Sequence, residues 1–120
     1  MKIAISTSGA DLTAPVDARF GRAKNFIIYD DETQSFELVE NSQNLQAAQG
    51  AGIQTAQNVV VAGAQAVITG NCGPKAFAVL SQAGVSVYLA RDGSVQKAID
   101  ELRAGGLQAQ DGANVAPHWM

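Results

Sequence analysis

The sequence predicts an α/β domain, and three observations carry that prediction. From Ala51 to Ala104, helical apolar spacing alternates with short runs of β-branched residues. Alternation of that kind implies parallel strand pairing. Before Ala51 the chain is β-dominated, with two apolar runs flanking a polar turn. Its 120 residues, 47% hydrophobic and 16% charged, suit one compact domain and are too few for two ordinary ones.

The elements follow in chain order. Residues 2 to 6 alternate and are β-branched, which predicts a first strand. Thr7 to Lys24 hold turn formers and no sustained period, so a long ordered loop, or a loop with one helical turn, is expected. Residues 25 to 30 and 35 to 41 are rich in Ile, Tyr, Phe, Leu and Val around Asp30-Asp31-Glu32-Thr33-Gln34, the pattern of an antiparallel hairpin. Ile53, Ala56 and Val60 recur at helical spacing between Gly50/Gly52 and Gly63, predicting a helix over 51–62. Ala66-Val67-Ile68-Thr69 reads as a buried strand and Pro74 to Ala83 as a helix closed by Gly84. Val85 to Leu89 reads as a further strand. Ser94 to Ala104 reads as a last helix, with Ser94 as N-cap and Arg103 placed favourably for the dipole. Beyond residue 104 few core formers remain, so the division expected is a domain over 1–104 and a mobile tail over 105–120 that ends in His118-Trp119-Met120.

Composition narrows the function. Eight Lys and Arg against eleven Asp and Glu give a net charge of -3, and no basic run exists to neutralise a row of phosphates, so nucleic acid is not expected as a partner. The apolar stretch at the start stops at Ser6, too short for a signal peptide, and no stretch approaches the roughly 18 apolar residues of a membrane span. One cysteine cannot form an internal disulfide. A cytoplasmic protein with no membrane association is expected.

The segment Gly70-Asn71-Cys72-Gly73-Pro74-Lys75 follows a strand and supplies a turn, a proline suited to the first helical position and the only cysteine. A helix start exposes unpaired N–H groups and a partial positive charge, to which Lys75 adds a full one and Cys72 a sulfur with some thiolate character. Arg19, Arg22 and Lys24 fall in the long loop. If that loop leaves the carboxyl edge of the first strand, they form a cationic cup beside the turn; otherwise Asp17 pairs with one arginine and the rest face water. Ser6, Thr7, Ser8 and Gly9 are either turn residues or donors to an anion. Gly50-Ala51-Gly52 resembles a dinucleotide fingerprint but lacks the third glycine and the downstream acid, so a flexible helix entry is the better reading.

Catalytic constellations are missing. The only histidine is His118, in the tail, so neither a Ser-His-Asp set nor a base for Cys72 can be assembled. Asp30-Asp31-Glu32 reads as a solvated hairpin tip. With one Cys, one His and two Met, a single chain cannot build a four-thiolate iron-sulfur site or a tetrahedral zinc site from soft ligands. Any metal centre must arrive largely pre-assembled.

Lys2-Ile3-Ala4-Ile5, the Val16 to Ala23 loop with Phe20-Gly21-Arg22, the Gly50/Gly52 helix entry and the Gly70 to Ala76 segment together resemble the dinitrogenase iron-molybdenum cofactor biosynthesis family, over about residues 1 to 104. The resemblance is nearest to its small carriers of a molybdenum-copper sulfide cluster, held without covalent attachment. It implies a ribonuclease H-like α/β fold, with a mixed five-stranded sheet and helices on both faces. It also implies no turnover. Other members carry or insert precursors of the nitrogenase cofactor, so an iron-molybdenum or iron-sulfur species is the alternative cargo. A sulfido-metalate cluster is a bulky polyanion suited to arginine forks, backbone N–H groups and apolar walls. The expected cluster-binding residues are Ser8, Arg19, Arg22, Asn71, Cys72, Gly73 and Lys75, none of them catalytic. Cys72 could ligate a metal, donate weakly to a sulfide or merely pack nearby. The expectation is therefore a non-catalytic, monomeric cluster carrier that exchanges cargo with protein partners. A Cys72-dependent enzyme and a metal-free interaction module are its rivals.

Overall fold

The computed structural model describes residues 1–41 and 51–110. Strand β1 (Lys2–Thr7) is followed by a long loop, then by the hairpin β2 (Asn25–Asp30) and β3 (Ser35–Glu40). Helix α1 (Ala51–Val61), β4 (Ala66–Thr69), α2 (Pro74–Gln82), β5 (Ser86–Leu89), α3 (Val95–Arg103) and β6 (Gln108–Ala109) follow among the described residues. The sheet order is β3-β2-β1-β4-β5-β6. β1 pairs parallel with β4, and β4 with β5; the β1–β2, β2–β3 and β5–β6 pairs are antiparallel.

The sheet is mixed, as expected, but among the described residues it has six strands where five were expected. Gln108 and Ala109, placed by composition in the tail, pair with Leu89 and Tyr88, and the Gln110 amide donates to the Val87 carbonyl at 2.8 Å. A two-residue edge strand with both side chains exposed carries no hydrophobic signal, so periodicity could not have found it. His118, Trp119 and Met120, like Gly50, lie outside the described residues.

Strand alternation sorts the core into two layers. Ala4, Phe26, Ile28, Val67 and Val87 face α1 and α2, meeting Ala56, Val59, Ala76 and Leu80. Ile3, Ile5, Ile27, Tyr29, Ala66 and Ile68 face α3, meeting Val95, Ala98 and Ile99. Helices thus lie on both faces. Burial of each large side chain such as Ile99 contributes about 1.5–3 kcal/mol. Phe20 leaves the long loop to join the α1/α2 layer, its ring edge-on to Phe26 with centroids 5.3 Å apart.

The loop after β1 contains turns and bridges but no helix. It is ordered because its backbone groups find partners elsewhere in the fold. The Val95 and Gln96 amides at the start of α3 donate to Ala14 and Leu12 carbonyls at 2.8 and 2.9 Å. Ser94 caps the same helix by accepting from the Lys97 amide at 3.1 Å, the role its sequence position predicted.

Candidate functional site

The carboxyl ends of β1 and β4 lie side by side, and the long loop is laced to both. The Asp17 amide donates to the Ser6 carbonyl at 2.7 Å. The Ser6 hydroxyl lies 2.8 Å from both the Asp17 carbonyl and the Thr69 hydroxyl. A hydroxyl carries one proton, so Ser6 donates to the carbonyl and Thr69 supplies the proton of the second bond. Farther along, the Phe20 amide donates to the Asn71 carbonyl at 3.1 Å, and the Asn71 side-chain amide donates to the Ala18 carbonyl at 3.2 Å. The segment Ala18–Phe20 is therefore zipped onto the turn that follows β4.

Two clefts border this seam. One, of ≈ 350 Å³, is lined by Phe20, Gly21, Gly52, Ile53 and the α2 start Gly73–Ala76. The other, of ≈ 470 Å³, is lined by Ala18, Gly70, Asn71, Leu89 and Arg91. Both open where the parallel strands end, the usual place for ligands in open α/β sheets.

The first cleft has the better construction for an anion. Gly73 stands at the N-cap of α2 in an extended conformation with no side-chain cap, and Pro74 occupies the first turn. No side chain of the helix's own cap takes up the first-turn N–H groups, and the residues of that first turn, Lys75 among them, line the cleft at the positive end of the dipole. Phe20, Ile53, Pro74 and Ala76 supply apolar walls. A buried polar knot fixes the opposite rim: the Asn41 side-chain amide donates to the carbonyls of Ala23 at 2.8 Å and Gly21 at 3.3 Å, and the Thr55 hydroxyl lies 3.1 Å from Asn41 Oδ1. These bonds tie α1, the end of β3 and the Phe20-Gly21 rim into one unit.

The predicted residues are distributed unevenly around this site. Gly73 and Lys75 line the first cleft and Asn71 the second. Arg19 sits on the seam opposite Asn71, two-thirds exposed, with Nε 3.4 Å from Asp17 Oδ1, so the pairing with Asp17 weighed from the sequence is present. Arg22 is exposed and lines neither cleft; Ser8, exposed just past β1, does not either. Cys72 is fully buried in the α1/α2 core layer, and burial pushes its thiol up to about 12. The thiolate character expected from the helix start does not arise, because desolvation of the charged form outweighs the dipole.

Sequence reasoning did not single out Ile53, Leu89 or Arg91. Arg91 was legible in principle, since it stands two residues past the carboxyl end of a parallel strand. Ile53 looked like a core residue and Leu89 like the last residue of a strand. Among the described residues no group of three or more His, Cys, Asp or Glu is placed to hold a metal ion. No helix among them is long and apolar enough to cross a membrane.

Comparison with known proteins gives this arrangement a context. The family model for dinitrogenase iron-molybdenum cofactor matches residues 1–105. The apo form of the orange protein from Desulfovibrio gigas superposes with a TM-score of 0.92 at 36% identity, over 94% of this chain and 95% of that one. A Thermotoga protein solved by NMR, assigned to the DUF35 family and provisionally named a NifB protein, gives a TM-score of 0.80 at 40% identity, over 92% of this chain and 98% of its own. An uncharacterized protein of Methanocaldococcus jannaschii is 32% identical over 111 residues, 90% of each chain.

Proposed function

We propose, from the premise that this chain belongs to the dinitrogenase iron-molybdenum cofactor family, that it binds and carries a pre-assembled anionic metal-sulfur cluster without making or breaking bonds in it. Molybdenum-copper sulfide is the favoured cargo, given the likeness to the orange protein. The observation that carries this reading is the first cleft: apolar walls, an N-terminus of α2 without a side-chain cap, and Lys75 at its rim. A large anion of low charge density suits apolar walls with a few aligned donors better than a small hydrated one does. Gly73 and Lys75 would hold the cargo directly. Arg19 and Arg22, outside the lining, would act by long-range attraction during capture, and Ser8 would add a donor at the outer edge. Asn71 would hold the rim in place, and Cys72 would pack beneath it rather than ligate.

The same reading has a monomer working in the cytoplasm and passing cargo to protein partners, with residues 1–104 as the binding unit. It keeps the ribonuclease H-like description for the strand order, to which β6 is an addition.

The test is elemental analysis with a visible spectrum on protein purified without oxygen from its native host. Molybdenum with copper and charge-transfer bands is the expected result. Iron with molybdenum would move the proposal to nitrogenase cofactor assembly, and colourless, metal-free protein would sink the carrier reading in favour of an interaction module. Lys75→Glu should reduce retention about tenfold or more, and the Arg19→Ala/Arg22→Ala pair should slow uptake in a salt-dependent way. Cys72→Ser should weaken retention only partly.

A further inference from the structure

The outer strand β3 lies at the edge of the sheet, away from both clefts, and its composition is unusual for an edge. Five of its six residues are exposed, and the outward row of backbone N–H and C=O groups has no neighbouring strand among the described residues. Such a row is a template for another chain. Phe36 and Leu38, each 40% exposed, lie on the α3 side of the sheet, because they stand opposite Tyr29 and Ile27. Among the described residues no helix covers them. The strand contains no proline or lysine that would blunt the edge.

Charge decides what kind of chain would fit. From Asn25 to Asn41 the hairpin carries Asp30, Asp31, Glu32, Glu37 and Glu40 and no Lys, Arg or His. Asp31 is engaged by Arg103 at 2.6 Å, and Glu32 lies 3.7 Å from the N-terminal amine. Asp30 and Glu37 line a hollow of ≈ 200 Å³ with Phe36 and Lys2, while Glu40 stands exposed at the end of the strand. A second copy pairing edge to edge would gather four carboxylates from Glu37 and Glu40 in one ribbon with no cation on either strand.

We propose that β3 is a docking edge for an extended, lysine- or arginine-bearing segment of a partner protein, which adds as a further strand, lays apolar residues on the Phe36 and Leu38 face and sets its cations on the opposite face, beside Glu37. Main-chain bonds give affinity in this mode and alternate side chains give selectivity. The edge is independent of the clefts, so a partner held here leaves them open.

The test is titration of the full ¹⁵N-labelled chain with a capped heptapeptide alternating lysine and valine. The expected result is shifts in residues 35–40, exchange protection on alternate amides of β3, and weakening by salt. A Glu37→Lys/Glu40→Lys double variant, its fold checked by amide dispersion, should bind about tenfold more weakly or worse. A Phe36→Ser/Leu38→Ser variant should also lose affinity. Absence of shifts at millimolar peptide, equal binding of a glutamate-valine peptide, or concentration-dependent self-association through β3 would each overturn the proposal.

Discussion

Gly70 and Ala18 are packed so closely that a Cβ added at position 70 would stand 2.6 Å from the Ala18 Cα. The contact is backbone on backbone, so neither side can turn away. It lets the Asn71 carbonyl accept from the Phe20 amide and so holds the loop after β1 against the turn after β4. Gly70→Ala should cost about 1–3 kcal/mol and shift the Phe20-Gly21 rim. Urea denaturation with amide spectra would check it, and wild-type stability with unmoved loop resonances would show that the close approach is unimportant.

Cys72 should be inert in the native protein. Its thiol is buried and ionises only at about 12, against 9.0 for a free thiol. At pH 8, a disulfide reagent should label it only on unfolding, and labelling at the rate of a free thiol in native buffer would contradict the burial. The sign of the linkage is fixed as well. The unfolded chain sheds this proton above pH 9 while the folded chain keeps it, so stability is full below about 9 and falls as pH rises toward 12. Cys72→Ala should flatten that part of the stability profile.

Thr55→Val should destabilise the protein by about 1–3 kcal/mol although the volume hardly changes. The substitution deprives the buried Asn41 Oδ1 of the Thr55 hydroxyl at 3.1 Å. Because the same knot carries the cleft rim, cargo retention should fall along with stability. A stable Thr55→Val protein with full retention would show that the rim is held by other means.

Arg103 joins α3 to the hairpin through Asp31 and the Tyr29 hydroxyl, the latter at 2.9 Å, and its guanidinium lies 5.5 Å from the Tyr29 ring centre. The exposed setting keeps the return small. Arg103→Ala should destabilise the protein only slightly, and less so at high salt, measured by thermal melting at low and high salt. A large loss would mean that this ion pair anchors the helix.

The strand and helix order was legible because periodicity and terminators agreed along the chain. Gly63 and Gly84 take positive φ where the sequence ends α1 and α2, and Ser94 caps α3 as its position predicts. The loop from Ser8 to Lys24 was legible only as a loop, since its order comes from bonds to Asn71, Gly93 and the α3 start, all far away in sequence. Gly73 and Lys75, which line a cleft, stand at a helix start, and a helix start is a local feature visible in the sequence. The exposure of Arg22 and the burial of Cys72 could not be read from composition, because charge and sulfur say nothing about which way a side chain faces.

By itself the sequence determined the α/β class, the strand and helix order, the Gly70 to Lys75 turn at the end of a strand, and the lack of soft ligands for a metal built in place. Those are properties of neighbours in the chain, set by periodicity, capping and residue counts. Only the tertiary structure decided that Cys72 is buried, that Asn41 and Thr55 hold the cleft rim, that Gln108–Ala109 close the sheet, and that β3 presents an acidic edge. Each depends on contacts between residues distant in sequence, whose desolvation and hydrogen bonding exist only after the layers have packed.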